Sequence, residues 1–165
     1  MASAMFLKIS TPTVEGESTD SKHSKEIELL SFSHGVAMNV GPRSTAGSAT
    51  TEKSSHQDIS VSKQIDKSTP EIAKGICQGT HYGEMVISIN KADGKGGMIE
   101  YLKYTLTDVL ITSHSIGGAD GGGLATESLT FNYGKIKWEY VPTDNTNAAM
   151  GTVPFAWDVA KNAVG

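Results

Sequence analysis

The sequence predicts a mainly β domain, an antiparallel barrel or sandwich with one flanking α-helix. Three observations predict it. Apolar residues alternate with polar ones at period two through most of the chain. Turn-rich connectors join these segments without βαβ alternation. A single amphipathic helical stretch stands near the middle.

From the N-terminus, Met5 to Ile9 reads as a short strand stopped by Pro12. Glu15 to Lys25 is polar throughout and reads as a surface loop. Glu26 to Met38 reads as one long strand, with Leu30, Phe32, Val36 and Met38 on its core face. Only His34 interrupts that face, and Ser31, Ser33, Gly35 and Ala37 make the other face small and polar. Asn39 to Ser55 is rich in turn formers, and a structureless loop of about 17 residues in a compact domain is usually functional or disordered. His56 to Ile65 is the next strand, with Ile59, Val61 and Ile65 inward and Asp58, Ser60 and Ser62 outward.

Ser68 opens the helix. Ser68 and Glu71 have capping-box spacing, Pro70 sits in the first turn, and Gly79 can end it. Ile72, Ala73, Ile76 and Cys77 form its apolar stripe. Tyr82–Asn90 and Met98–Ser115 read as strands joined by a turn-rich loop, with a change of apolar phase near Asp108 that suggests a bulge. Gly117 to Gly123 is a flexible connector. Thr126 to Tyr140 is the most informative stretch: Leu129, Phe131 and Tyr133 alternate on odd positions, then Ile136, Trp138 and Tyr140 on even ones. The phase changes across Gly134, so this is a single bulged strand or a tight hairpin at Tyr133–Gly134. A strand of about 15 residues spans roughly 50 Å at ~3.3 Å per residue, so it bends around a barrel or reaches a neighbouring subunit. Phe155–Val159 is the last short strand.

With 165 residues, the chain is one domain (1–165, with an extended loop at 39–55). Its formal charge is −4, from 14 basic and 18 acidic side chains, without a basic run or arginine–aromatic interleaving, so nucleic acid is not an expected partner. A single cysteine, Cys77, excludes an intrachain disulfide framework. No apolar run approaches the ~20 residues that cross a bilayer, so direct membrane insertion is not expected. MASAMFLKIS lacks a charged leader before a long apolar segment, and an ordinary secretory signal is not expected.

Candidate chemistry is sparse. His23, His34, His56, His81 and His114 lack ligand spacing and read as scattered strand or surface histidines. Cys77 lies on the helix's apolar stripe near the C-terminal end, where the dipole opposes a thiolate, so it reads as a buried, inert thiol. The glycine clusters neither lead into a helix nor carry a phosphate-cradling ending. Glu26 and Glu28 read as a solvated face. No enzyme, cofactor or metal site is expected. The long strands with small, polar outward faces admit two accounts: a symmetric ring that covers its edges with copies of itself, or a closed monomeric barrel.

Taken in order, FLKI, GESTDSKH, EIELLSFSHG, HQDISVSKQIDKSTP, the helix, FNYGKIKWEY and a C-terminal AWD resemble the haemolysin-coregulated protein (Hcp) family of bacterial type VI secretion. The likeness runs from Met5 to about Lys161. It implies a β-barrel subunit of hexameric rings that stack into the inner tube of a contractile injection machine. It also implies a VgrG-type spike, a contractile sheath and lumen-borne effectors as partners, and export through that machine. The 39–55 loop matches the family's extended loop toward the adjoining ring, with Gly41, Pro42, Arg43, Glu52 and Lys53 as stacking candidates. Ser31 and Ser33 match the lumen lining. Two residues depart from the family's pattern: His34 stands where a second aromatic is frequent, and Ala156 where glycine is usual. Some relatives carry a C-terminal toxin, which a chain ending at Gly165 is expected to lack. The alternative reading is a monomeric barrel that binds a small ligand in an apolar pocket.

Overall fold

The computed structural model describes residues 4–43, 47 and 49–165. Eleven strands and one helix follow in order: β1 (Met5–Ser10), β2 (Ile27–Glu28), β3 (Ser31–Ser33), β4 (Val36–Val40), β5 (Thr51–His56), β6 (Ile59–Gln64), α1 (Ser68–Gln78), β7 (Tyr82–Ala92), β8 (Met98–Gly117), β9 (Thr126–Tyr140), β10 (Val153–Asp158) and β11 (Ala163–Val164). All pairings are antiparallel. The main sheet runs β11-β10-β9-β8-β7-β1-β2, and β6 joins β9 to β3. Because β2 lies on β1 while β3 lies on β6, and Leu30 N donates to Ser62 O between them, the sheet closes on itself as a barrel.

That closure explains why the expected strand Glu26–Met38 is three pieces. The chain changes neighbours at Leu29–Leu30 and leaves the barrel after Ser33. Val36, Met38 and Val40 are therefore not core residues; with Ala37 and Asn39 they form an exposed strand, and Leu30 is exposed at the corner. The expected loop also contains structure: β4 and β5 pair as a separate ribbon, with Val36 opposite His56 and Met38 opposite Ser54. Within it, Ser44–Ala46 and Ser48 lie outside the described residues. Ile65, expected inward, is exposed where β6 ends.

The long strand is continuous, as β9, so the hairpin alternative is not adopted. Its phase change coincides with that of β8. Leu106 is buried before Asp108, and Val109 and Ile111 after it; Leu129, Phe131 and Tyr133 are buried before Gly134 and Ile136 after it. Thr107 pairs with Lys135 and Val109 with Tyr133, leaving Asp108 opposite Gly134. One extra residue in each strand at the same height preserves register while moving the apolar set to the other parity. Asp108 takes the left-handed backbone, with φ 53°, rather than the glycine.

The barrel interior is filled by side chains from Leu7, Ile9, Ile59, Met85, Ile87, Leu106, Leu129 and Phe131, all at most 1% exposed. Each such side chain contributes on the order of 1.5–3 kcal/mol. The interior of this closed barrel is thus filled by its own side chains.

Helix α1 covers the sheet through Ile72, which is fully buried, and through Gly75, where a Cβ would sit 2.1 Å from Tyr82 Oη. Its cap differs from the capping box. The Asp66 carboxylate accepts from the Ser68 amide at 2.9 Å and from the Ser68 hydroxyl, so the cap lies two residues earlier. Gly79 closes the other end at φ 63°, where Thr80 N donates to Gly75 O. Cys77 is exposed, not buried. It lies about 140° around the helix from Ile72 at ~100° per residue, beyond the edge of the packed face.

Candidate functional site

Beneath α1, charge is buried where alternation expects apolar residues. Lys63 is in phase with Ile59 and Val61, and Glu127 with Leu129 and Phe131; neither was singled out from the sequence, although a charge on an apolar phase is itself a signal. Lys63 Nζ donates to Glu127 Oε1, to Asp66 Oδ1 at 2.8 Å and to Gln64 O at 3.0 Å. Glu127 also accepts from Thr69 Oγ1 at 2.9 Å and meets His114 Nε2 at 2.6 Å. Burial alone would raise the Glu127 carboxyl, but hydrogen bonds from Lys63, His114 and Thr69, with the Lys63 charge, hold it below its usual range. The network ties β6, β8, β9 and the start of α1 together as a structural clamp.

The opposite face of the same strands is different in kind. Strand register sets Ser33, Ser60, Thr130 and Ser113 in one row across β3, β6, β9 and β8, and Ser31, Ser62, Ser128 and Ser115 in the next. The hydroxyls hydrogen-bond sideways: Ser31 to Ser62 at 2.6 Å, and Thr130 to both Thr112 and Ser113 at 2.6 Å. Thr112 joins the row because the register slips between Ile111 and Ser113. At one margin Asp58 accepts from Thr112 at 2.8 Å and from Asn132 at 3.1 Å. Ser31 and Ser33 thus belong to a continuous hydroxyl surface of at least eight side chains, made by short residues at two successive levels of four neighbouring strands. Alternation in ISVS, ESLT and TSHS carried the same signal; what it could not supply is the register that lines the rows up.

The ribbon is the second exposed feature. Gly41 N donates to Thr50 O at 2.9 Å, and Pro42, Arg43, Glu52 and Lys53 are exposed toward its far end. Among the described residues, Arg43, Glu52 and Lys53 make no ion pair.

His34 holds the joint between ribbon and barrel. Tyr133 Oη donates its one proton to Gln57 O at 2.9 Å, so His34 Nε2, 2.6 Å from that hydroxyl, must be the donor to it. Gln57 N donates to Gly35 O at 3.0 Å and completes the joint. His34 packs against Tyr104, Tyr133 and Trp138, and His56 stacks on Trp157 at 6.2 Å. Burial first, then the His56 charge, pushes the His34 imidazole below its ordinary value of 6.5; burial and Lys53 do the same for His56. Burial raises the Tyr133 phenol, followed by Asp58 and Tyr104. Both histidines are held neutral in the fold while the unfolded chain takes up protons first. Stability is therefore full above about pH 6.5 and falls as pH drops through that value. The urea midpoint should be lower at pH 5 than at pH 7, and His34→Gln should flatten this dependence; an equally steep dependence in the variant would remove His34 as its source.

A filled barrel with one hydroxyl-paved face and an extruded ribbon defines a structural building block that works through its surfaces. The chain belongs to the family described as type VI secretion system effector, Hcp, which matches residues 6–140. It is 37% identical over 163 residues to protein hcp1 of Pseudomonas aeruginosa, covering 98% of both chains. Among solved structures it is similar to a type six secretion system protein (TM-score 0.91, 30% identity, 99% of this chain and 100% of that one). It is also similar to Hcp1 from Salmonella typhimurium (TM-score 0.77, 28% identity, 99% of each). It is accordingly a tube subunit of the type VI secretion system.

Proposed function

We propose that this subunit forms hexameric rings that stack into the inner tube, with the hydroxyl rows facing the lumen and the β4–β5 ribbon reaching the adjoining ring. The observation that carries this reading is the pair of hydroxyl rows. They make a wide, nearly uncharged surface without an apolar patch, suited to letting a folded cargo slide past while offering it many weak hydrogen bonds. Ser31 and Ser33 would lie among the cargo contacts. Effectors, a VgrG-type spike and a contractile sheath are the partners that family membership favours, and the protein would leave the cell through the same machine.

Native mass spectrometry at low micromolar concentration should give a hexamer. Ser33→Gln, which projects a longer amide at the β3 end of the first row, should reduce effector co-purification without changing ring mass. Undiminished cargo binding would count against the lumen assignment, and a monomer in the first measurement would count against the ring.

A further inference from the structure

We propose that a cavity between the segment before β2 and the β7–β8 turn binds a small organic anion, a carboxylate or phosphate head on an aromatic or short apolar body. It shares no residue with the hydroxyl rows or the ribbon and needs one chain only. The segment Glu15–Lys25, expected as a plain surface loop, is folded on itself. Asp20 Oδ1 accepts from the amides of Lys22 and His23 at 2.9 and 3.1 Å. Lys25 N donates to Ser18 O at 2.8 Å, and Ser18 N to Glu26 O at 3.1 Å. The flap so formed lies on a face of β1 and β7 that alternation leaves to solvent. Phe6, Ser88 and Asn90 are out of phase with Leu7, Ile9, Ile87 and Ile89, yet they are only 2%, 4% and 8% exposed. His23 stacks on Phe6 at 4.3 Å and meets Glu26 Oε2 through Nδ1 at 2.9 Å, which fixes the flap in place.

The flap leaves space beneath it. A cavity of about 600 Å³, a usual size for a small-molecule site, stands between it and the β7–β8 turn, with Phe6, Ala92 and Met98 as its apolar wall. Three polar groups on its lining have capacity to spare. Asn90 spends both N–H donors on long contacts, each 3.4 Å, to Ala4 O and His23 Nε2, and its Oδ1 accepts nothing among the described residues. Lys22 Nζ bridges the flap to β8 through Met98 O at 3.4 Å. Lys91 Nζ donates to Thr143 Oγ1 at 3.0 Å and lies 5.4 Å from the centre of the Tyr101 ring. Neither ammonium meets a carboxylate among the described residues.

These groups select the ligand's charge and shape. In a chain of net charge −4, two lysines without a carboxylate partner are a local excess of positive charge. Asp20, the one acid on the lining, is already committed to the flap's own amides. The lysines therefore take an anionic head by charge-assisted hydrogen bonds, and Asn90 Oδ1 takes a hydroxyl or amine on the body. Phe6 and Met98 take the body itself, which would otherwise leave apolar wall facing water. Lys22 is the side chain that yields on entry, because its contact with Met98 is long and exposed.

The probe is phenyllactate, which carries a carboxylate, a hydroxyl and a ring, measured by equilibrium dialysis against the full chain at low ionic strength. Saturable retention is expected at millimolar concentration. Lactate, which lacks the ring, and phenylpropanediol, which lacks the charge, should each bind about tenfold more weakly or worse. Lys22→Gln with Lys91→Gln should weaken phenyllactate by about the same factor, since two charge-assisted bonds are lost. Ala92→Trp, which fills the cavity from an exposed position on its rim, should abolish retention while keeping the parent's urea midpoint. Retention undiminished in Ala92→Trp would place the probe elsewhere and overturn the site. Lactate or the diol binding as tightly as phenyllactate, or binding unchanged by the lysine pair, would overturn the ligand class. Absence of saturable retention would overturn the proposal outright and leave the tube reading intact.

Discussion

A Lys63→Met variant should lose about 3–5 kcal/mol of folding stability, the cost of leaving a buried charge without its partner. Lys63 is fully buried although it carries a charge, and its ammonium is shared between Glu127, Asp66 and the Gln64 carbonyl. Methionine keeps the length of the side chain and removes these donations, with the longer one to Thr69 Oγ1 at 3.5 Å. Glu127, itself 1% exposed, would keep only Thr69 and His114. Urea titration should show a lower midpoint with an unchanged slope. Two controls separate charge from packing. Lys63→Met combined with Glu127→Met removes both members of the pair, and should recover much of the loss, because a matched apolar replacement is often near neutral. Acid should also narrow the gap between Lys63→Met and the parent. The Glu127 carboxyl is held below its ordinary 4.5, so its contribution is present above that pH and disappears as pH falls through the folded value. A single variant as stable as the parent at pH 7 would show that the network is dispensable.

The same two residues show how far the sequence could be read. Alternation located the long barrel strands, because period two is a local property of a half-buried sheet, but it missed β5, which is exposed on most of its residues. It also located both phase changes, at Asp108 and Gly134, but not that they face each other; that depends on which residues pair across strands. Alternation failed where burial is decided by a long-range turn of the chain. Val36 and Met38 alternate as core residues would, yet β4 has left the barrel, and nothing within EIELLSFSHGVAM marks the departure except His34–Gly35. Lys63 and Glu127 were passed over for the converse reason: each is 64 residues from the other, and only the β6–β9 register brings them together. Cys77 was misplaced by a small angular error at the edge of a helical stripe. Ser31 and Ser33 were placed on the outward face correctly, but the surface that gives them meaning comes from β6, β8 and β9. Family likeness fared better than local pattern because it summed many weak signals in order.

Shortening the ribbon should abolish stacking and leave the ring untouched, the largest functional effect that any single change here is expected to have. The cleanest cut replaces residues 39–53 with Asn-Gly. Met38 and Ser54 are already paired across the ribbon, so a two-residue turn can join them without disturbing the ladder below. The pairs Val36–His56 and Ala37–Ser55 remain, as does the joint that His34, Tyr133, Gln57 and Gly35 make with the barrel. What is removed touches little else in the chain: every described residue from Asn39 to Lys53 is exposed except Gly41, which is partly covered. The unfolding free energy from urea titration should therefore stay within about 0.5 kcal/mol of the parent, as for surface changes away from packed features. Native mass spectrometry should report a hexamer lighter only by the deleted residues, and electron microscopy should show single rings where the parent forms tubes. Tubes of ordinary length would refute a stacking role for the ribbon. Loss of the hexamer together with the tubes would mean that the ribbon holds neighbours within a ring, because the retained barrel contacts leave unfolding no part in the result.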